Sequence, residues 1–241
     1  MKSMHIESLK GKTALVSGAT GGIGESIARK LAECGCNLIL TSKTEKKLKL
    51  LSNELLHFDV NVDYLVSDLR NIDEVYDFIS YAKNKYKRID ILINSAGIFN
   101  NSSLTEIEDK DYFESFDINF RSIFLFSREF SKEMVNNKWG RIVNIGSSSS
   151  FSGWKDTSLY CAAKHAVLGF SRAIHIELRD YNVRTYCISP SSTLTNMGKQ
   201  LKNQDSSTFL DPDDVAKYVV FSISFDSNII SNEISLSRMN N

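Results

Sequence analysis

Short apolar segments alternate with amphipathic helical segments along nearly all of the 241 residues, and this alternation restricts the fold more than any other feature. The apolar segments are short and nearly continuous in hydrophobic residues, which is typical of parallel strands covered by helices on both faces. The pattern predicts one parallel sheet of about seven strands in a doubly wound α/β fold. We expect strands at 13–17, 37–41, 60–67, 89–94, 141–146, 183–189 and 233–236, and helices at 22–33, 44–56, 71–86, 109–138, 157–180 and from 211 onward. No repeat or linker divides the chain, so we expect one domain over residues 1–241.

The first strand enters the first helix through a glycine-rich turn, Ser17-Gly-Ala-Thr-Gly-Gly-Ile-Gly24. Glycines in such a turn let the main chain bend tightly and approach a pyrophosphate at the positive end of the helix. Glycine alone is weak evidence, because turns favour it anyway. Its place between the first strand and the first helix predicts a Rossmann-type dinucleotide site at Gly18, Thr20, Gly22, Ile23 and Gly24.

The end of the second strand bears on which dinucleotide binds. An acidic residue there would accept hydrogen bonds from the adenosine ribose and repel a 2′-phosphate. The sequence instead has Ser42 and Lys43, which can donate to a 2′-phosphate and neutralise it. We therefore expect NADP(H) to be preferred, with NAD(H) as the alternative.

A serine and a Tyr-x-x-x-Lys pair flank the fifth predicted strand and the helix that follows it. Ser147 comes just after the strand, and Tyr160 and Lys164 lie one helical turn apart near the start of the helix. A tyrosine exchanges protons at neutral pH if its pKa falls well below about 10. A lysine cation about 4 Å away can supply the roughly 4 kcal/mol required. This spacing predicts a site in which Ser147 holds a carbonyl oxygen and Tyr160 exchanges a proton with it.

The Tyr-x-x-x-Lys spacing alone means little, because Tyr81 and Lys85 repeat it in an ordinary amphipathic helix. Thirteen residues before Tyr81 stands Asp68, whereas thirteen before Tyr160 stands Ser147 at the end of a strand. The context of the second pair, rather than the motif, is what favours a catalytic interpretation.

Composition excludes several other classes of function. The chain has 29 basic and 29 acidic side chains with no long block of one sign, so we expect no nucleic-acid or membrane-surface partner. No segment is long and apolar enough for a membrane span, and no leader is recognisable, so we expect a cytoplasmic protein. The four cysteines and four histidines lack ligand spacing, which predicts free thiols and no metal site.

Three further motifs follow the glycine turn: Ser67-Asp-Leu69, Asn94-Ser-Ala-Gly97 and Asp117-Ile-Asn119. With the serine, tyrosine and lysine described above, they occur in the order found in one family. Over nearly its whole length the chain resembles the classical short-chain dehydrogenases/reductases, most of all the 3-oxoacyl-[acyl-carrier-protein] reductase branch. The resemblance implies cofactor contacts at Asp68, Leu69, Asn94, Ala96 and Gly97, and a catalytic set of Asn119, Ser147, Tyr160 and Lys164.

The resemblance also implies individual roles. Lys164 would hold the nicotinamide ribose hydroxyls together with Tyr160, and Asn119 would hold a water that links the lysine to solvent. The segment from Pro190 to Thr195 is similar to the family's P-G-x-x-x-T stretch, whose backbone binds the carboxamide. Residues 191–210 would form a substrate lid.

Three positions depart from the family pattern. Ser191 stands where the family usually has glycine, which alters the backbone if that position needs a positive φ. The chain after the last strand lacks the usual glycine pair, which leaves the family's tetramer contact in question. The glycine turn also lacks the basic residue that many NADP-dependent members carry, so Lys43 is nearly alone in favouring NADP(H).

The sequence thus predicts an NADP(H)-dependent oxidoreductase that interconverts a carbonyl and a secondary alcohol on a small or acyl-type substrate, such as a 3-oxoacyl thioester. One alternative is an NAD-dependent sugar, polyol or other alcohol dehydrogenase; another is a nucleotide-binding regulator without catalysis. The resemblance implies a homo-oligomer, a tetramer or dimer, built on the long helices. Four residues are candidates to line an apolar cleft, with ordinary core packing as the alternative: Phe99, Phe151, Trp154 and Met197.

Overall fold

The computed structural model describes residues 8–200 and 204–239. The first half of the chain contains β1 (Thr13–Ser17), α1 (Gly22–Glu33), β2 (Asn37–Ser42), α2 (Glu45–Leu55), β3 (Val62–Val66), α3 (Ile72–Lys85) and β4 (Ile91–Asn94). The second half contains α4 (Asp109–Phe116), α5 (Ser122–Asn136), β5 (Gly140–Ile145), α6 (Ser158–Leu178), β6 (Val183–Pro190), α7 (Pro212–Ile223) and β7 (Glu233–Leu236). All seven predicted strands are present.

The strands form one parallel sheet in the order β3-β2-β1-β4-β5-β6-β7, which confirms the predicted doubly wound fold. The chain returns to the middle of the sheet between β3 and β4, so the order of strands reverses next to β1. Ligands in such sheets bind outside the carboxyl ends of the strands at this reversal. The glycine turn and Ser147 both follow strands at that edge.

Side chains alternate across the strands and build a core on each face of the sheet. In β1, Ala14 and Val16 join the core under α1, α2 and α7, while Leu15 joins the core under α3 and α5. In β2, Ile39 likewise packs on the side of α3. Because both faces are covered, the central strands are mostly apolar, which explains the hydrophobic runs in the sequence.

One predicted helix is not continuous. The segment expected to be helical from 109 to 138 consists of α4, a π-helical turn at Asp117–Arg121, and α5. A π turn inserts one residue into the helical ladder, and such turns occur frequently at functional sites. The insertion does not disturb the hydrophobic periodicity on either side, so the sequence pattern does not reveal it.

The start of α7 is capped by Asp211, as the sequence predicts. Asp211 accepts a hydrogen bond from the Asp213 amide at 2.8 Å, and Pro212 occupies the first position of α7. The helix expected to reach residue 180 ends at Leu178, followed by a 3₁₀ turn that closes at Asn182 in the left-handed conformation. Among the described residues, no helix is long and apolar enough to cross a membrane.

Candidate active site

The end of β5 and the loop after it position Ser147. Gly146 lies tightly against the Ser189 hydroxyl of β6, so a side chain at this position would collide with it. The Ser147 hydroxyl accepts a hydrogen bond from the Ser149 amide at 3.1 Å, and the Ser150 hydroxyl accepts one from the Ser147 amide at 3.2 Å. The run of serines is therefore a capping box that fixes Ser147 at the edge of the sheet.

Tyr160 and Lys164 lie one turn apart on α6, and both are buried. The Tyr160 ring meets the edge of Phe99 with centroids 5.1 Å apart. The Lys164 ammonium donates to the carbonyl oxygen of Ile145 at 2.8 Å and lies 5.8 Å from the centre of the Tyr160 ring. The lysine is thus anchored to the end of β5, beside Ser147, rather than to the phenol.

Burial governs the protonation of this pair. It raises the pKa of Tyr160 above 10.0, and a hydrogen bond with Ser147 acts in the opposite direction. Burial also lowers the pKa of Lys164 from 10.5 to about 8, with Cys187 acting against it. The sequence argument predicted a tyrosine pKa lowered by the lysine. In this structure the direction is opposite, because desolvation of the phenol outweighs the hydrogen bond with Ser147.

Asn119 lies in the π turn and is fully buried. Its side-chain Oδ1 accepts from the Ile98 amide at 3.0 Å, and its Nδ2 donates to the Ile98 carbonyl at 3.1 Å and to the Ser115 hydroxyl at 3.3 Å. The asparagine therefore fixes the backbone just after β4 with both of its polar atoms.

Gly97 lies where these elements meet. A Cβ atom on Gly97 would lie 3.0 Å from Asn119 Oδ1, 3.8 Å from Lys164 Nζ and 3.8 Å from Met197 Cε. The structure thus brings the π turn, α6 and the segment after β6 together around one glycine. Asn119, Ser147, Tyr160 and Lys164, predicted from three separate motifs, all lie at this end of the sheet.

The glycine turn closes onto the loop after β4. Gly18 has a φ of 67°, and a Cβ there would lie 2.6 Å from the backbone of Ala96, so the close approach requires glycine. A Cβ on Gly22 would lie 2.5 Å from Cγ2 of Thr195. Ala96 and Thr195, both predicted cofactor contacts, therefore flank the turn on two sides.

The residues of this turn fit a dinucleotide pyrophosphate. The N-cap of α1 is Gly21, and no side chain caps the amides of the first helical turn. These amides remain available as anion donors at the positive end of a 12-residue helix. Gly24 packs closely on the Gly18 carbonyl, and Ile23 contacts the core beneath the turn.

Two hydroxyls and a lysine meet at the ends of β1 and β2. Thr20 Oγ1 lies 2.5 Å from Ser42 Oγ, and Lys43 is exposed beside them. The structure therefore places Ser42, which was predicted with Lys43 to bind the 2′-phosphate, against Thr20 of the glycine turn. The three residues fit an anionic group with hydroxyl donors and one cation.

Asp68 is not free in this structure. Its carboxylate accepts from the Arg70 guanidinium at 2.5 and 3.0 Å and from the Arg70 amide at 3.1 Å. These bonds, with a smaller contribution from Lys43, hold the pKa of Asp68 below 3.8. The Leu69 side chain is buried in the core, which leaves only its main chain facing the predicted adenine site.

The side chain of Asn94 lies inside the fold. Its Nδ2 donates to Asn144 Oδ1 of β5 at 2.8 Å and to Ser127 Oγ of α5 at 3.4 Å. These bonds tie β4 to β5 in a fully buried position. Any contact of Asn94 with a cofactor is therefore made by its main chain.

Strand β6 ends at Pro190, which pairs with Leu236 of β7. Ser191 is not among the described residues with positive φ, so the departure from glycine leaves the backbone there unstrained. Its amide donates to the Leu236 carbonyl at 2.8 Å. The two ends of the predicted lid lie side by side, because Thr193 forms a parallel bridge with Leu210. Residues 201–203 of that lid lie outside the described part.

The candidate cleft residues separate into two groups. Phe99 contacts Tyr160, and Met197 lies near Gly97, so both border the candidate catalytic residues. Phe151 and Trp154 are 46% and 59% exposed on the loop between Ser147 and Tyr160. Sequence reasoning did not find Arg70, whose only local signal was its position two residues after Asp68.

The four cysteines are free thiols, and the described residues contain no group of three or more histidine, cysteine, aspartate or glutamate side chains that could hold a metal ion. Burial raises the pKa of Cys187, which neighbours Lys164 in the core. Burial likewise raises the pKa of Cys34 and Cys36, so these thiols are not activated as nucleophiles.

A family model described as short chain dehydrogenase matches residues 12–206. The chain belongs to this family. It is 31% identical over 234 residues to the 3-oxoacyl-[acyl-carrier-protein] reductase FabG of Rickettsia felis, covering 93% of this chain and 94% of the relative. It is 31% identical over 232 residues to the FabG of Haemophilus influenzae, covering 92% and 95%. The predicted resemblance to short-chain dehydrogenases/reductases on the side of these reductases is confirmed.

Solved structures agree with this membership. A metagenomic short-chain oxidoreductase in complex with NADP has a TM-score of 0.85 and 26% identity, with 98% of this chain and 100% of that chain covered. A gluconate 5-dehydrogenase described as putative from Beutenbergia cavernae, with bound NADP, has a TM-score of 0.87 and 27% identity over 95% and 96%. This chain is an oxidoreductase of the short-chain dehydrogenase family.

Proposed function

We propose that this short-chain dehydrogenase is an NADP(H)-dependent enzyme that interconverts a carbonyl and a secondary alcohol, with Tyr160 as the general acid and base. The convergence of Ser147, Tyr160 and Lys164 at the end of β5 carries this proposal. The family relationship supports it, and the second catalytic element, the π turn with Asn119, borders the same place.

The nicotinamide dinucleotide supplies or accepts the hydride when it is bound. Ser147 holds the substrate oxygen: its Oγ accepts from the Ser149 amide, and its hydroxyl proton is the donor that the substrate oxygen accepts. Tyr160 donates a proton to the same oxygen as the carbonyl is reduced. Because burial keeps the phenol pKa above its ordinary value, Tyr160 is protonated at neutral pH and can act as the acid in carbonyl reduction.

Lys164 contributes a buried positive charge. An ammonium group has three donors, and one of them is bonded to the Ile145 carbonyl. The remaining donors are available for the ribose hydroxyls implied by the family resemblance. A pKa of about 8 leaves the lysine mostly charged at neutral pH, so it favours the developing negative charge on the phenol as the proton leaves.

NADP(H) is the preferred cofactor in this proposal. The Thr20 and Ser42 hydroxyls and Lys43 form the candidate 2′-phosphate site, and two similar solved structures are described with NADP. The substrate we propose is a 3-oxoacyl thioester, because the curated relatives are 3-oxoacyl-[acyl-carrier-protein] reductases and Phe99 and Met197 give the site an apolar wall.

A homo-oligomer is part of the proposal. Phe113 of α4, Phe124 of α5 and Ile176 of α6 are 60%, 38% and 57% exposed, and apolar exposure of this kind on packed helices is typical of association surfaces. Light scattering at working concentration tests it, and a monomer alone would contradict it. Cytoplasmic location stays a prediction.

The deciding experiment is a fluorescence titration with NADPH and NADH in one buffer, followed by turnover of an acetoacetyl thioester. We expect NADPH to bind at least about tenfold more tightly, roughly 1.4 kcal/mol, and to be oxidised by the thioester. Tighter NADH binding with oxidation of a sugar or polyol would replace this proposal by the NAD-dependent alternative. Binding of neither would point to a protein without catalysis.

A further inference from the structure

Arg121 connects two parts of the molecule that the chain separates by about fifty residues. It lies in the π turn, two residues after Asn119, and its side chain is 32% exposed. Its Nη1 pairs with Asp117 at 2.7 Å, and its Nη2 donates to the carbonyl oxygens of Arg70 at 2.9 Å and Leu69 at 3.4 Å. A side chain of the catalytic turn thus holds the main chain of the loop after β3.

That loop carries the predicted adenine contact. Arg70 binds the Asp68 carboxylate with Nε and Nη2, and its Nη1 reaches Glu114 of α4 at 3.1 Å. The loop is therefore tied twice to the same helical segment, once through Arg121 and once through Glu114. A group that binds at Asp68 must either keep this arrangement or shift it.

The other end of the π turn is equally constrained. Asn119 bonds to both main-chain polar atoms of Ile98, and Gly97 next to it faces Lys164. These groups are buried, so a rotation of the π turn would move the Ile98 backbone with it. The contacts form a continuous path from the Asp68 loop through Arg121 to Asn119.

We propose that Arg121 is a positioning residue that couples occupation of the adenine end of the cofactor site to the placement of Asn119. The inference rests on the cofactor site of the proposed function. Binding free energy from the nonreacting end of the dinucleotide is then used to order the catalytic asparagine. In this proposal Arg121 does not act on the substrate itself. It acts through its hydrogen bonds to the loop carbonyls of Leu69 and Arg70.

Hydrogen exchange of the Ile98 amide tests the coupling, because this amide donates directly to Asn119 Oδ1. The ligand is adenosine 2′,5′-bisphosphate, which represents the adenine end alone. In the wild-type protein we expect it to slow exchange at Ile98 roughly fivefold or more, together with exchange in the glycine turn at 18–24.

Three variants separate coupling from a structural role. In Arg121→Met the ligand should still slow exchange at 18–24 but no longer at Ile98. Arg121→Lys, which retains a donor for the Arg70 carbonyl, should recover part of the effect and serves if the methionine variant does not fold. Arg128→Met is the control: this arginine of α5 binds Glu129 and Tyr76 at the surface, and its loss should leave the Ile98 response unchanged.

The other outcomes are informative in different ways. An unchanged Ile98 response in Arg121→Met would overturn the coupling. Slowed exchange at 18–24 without any change at Ile98 in the wild type would also overturn it, while the cofactor site would stand. No slowing anywhere in the wild type would overturn the proposed cofactor site and this inference with it.

Discussion

Two cations are buried at opposite ends of β5, and their surroundings differ. Arg141 begins the strand and donates to the carbonyls of Ile223 and Gly140 and to the Asp226 carboxylate at 2.7 Å. Lys164 lies at the other end, where the Ile145 carbonyl is the partner that fixes its ammonium. The first cation is held by a network with a counter-charge, and the second is held by a single carbonyl.

Their protonation differs accordingly. Burial lowers the pKa of Arg141, but Tyr186 and Asp226 act against it, and an arginine stays charged. Burial lowers the pKa of Lys164 to about 8. A buried charge with its partners in place stabilises an arrangement, whereas a buried charge that lacks a carboxylate costs stability and is retained where chemistry needs it.

The largest expected effect is on turnover at the Lys164 end. Tyr160→Phe should lower turnover of the thioester at least roughly 1000-fold, because it removes the proton donor while keeping the ring that contacts Phe99. Steady-state rates measure it, with circular dichroism and NADPH affinity to verify the fold. Tyr81→Phe is the matched control, since Tyr81 has the same spacing to Lys85 in α3. Turnover within tenfold of wild type in Tyr160→Phe would end the proposed mechanism.

At the Arg141 end of β5, a substitution should change the stability of the protein. Arg141→Met leaves several buried carbonyls and Asp226 without this donor, so we expect the free energy of unfolding to fall by about 4 kcal/mol. Urea denaturation measures the change. Arg172→Met, which removes an exposed pair with Glu233, should cost less than about 1 kcal/mol. Equal losses in the two variants would show that burial does not distinguish them.

Lys164→Met should raise the free energy of unfolding, whereas Arg141→Met should lower it. The folded protein releases the lysine proton at about pH 8 and the unfolded chain at about 10.5, so wild-type stability should rise with pH across this interval. At pH 7 the methionine variant should be more stable by about 3 kcal/mol, the shift converted at about 1.4 kcal/mol per unit, while turnover is lost.

Urea denaturation of both proteins at pH 7, 8, 9 and 10 checks this prediction. The difference in unfolding free energy should shrink as the pH rises from 8 towards 10.5, because the folded wild-type protein no longer carries the buried lysine charge. A difference that stays constant with pH would mean that packing, rather than the buried charge, separates the two proteins.

The difference between the two ends of β5 also marks what could be predicted from sequence. The seven strands follow from apolar runs, and Ser147, Tyr160 and Lys164 follow from spacing, because both depend on local periodicity. The partner of Lys164 could not be predicted from spacing, because Ile145 is 19 positions earlier in the chain and is brought near only by packing of α6 on the sheet. For the same reason spacing predicted the wrong direction for the tyrosine pKa: it gives proximity along a helix but not the balance of desolvation and charge.

The π turn and the arginines show a second limit. One additional residue in a helix preserves the hydrophobic pattern before and after it, so Asn119 was located by its motif while its backbone geometry was not. Arg121 reaches Leu69 and Arg70 across the fold, and no pattern near position 121 indicates that contact. Sequence patterns therefore did not reveal the contacts that long polar side chains make between distant segments.

Lys43 provides the third case of the comparison, a cation that is exposed to solvent. An exposed cation carries little desolvation cost, so its effect should be confined to binding an anion. Lys43→Ala should weaken NADPH binding roughly tenfold and leave NADH binding unchanged, and added salt should reduce the wild-type preference because an exposed charge is screened. Lys47→Ala, on the exposed face of α2, is the control and should change neither affinity. If Lys43→Ala weakened the binding of NADPH and NADH equally, Lys43 would act on the part that the two dinucleotides share. The 2′-phosphate would then have to be recognised by Thr20 and Ser42 alone.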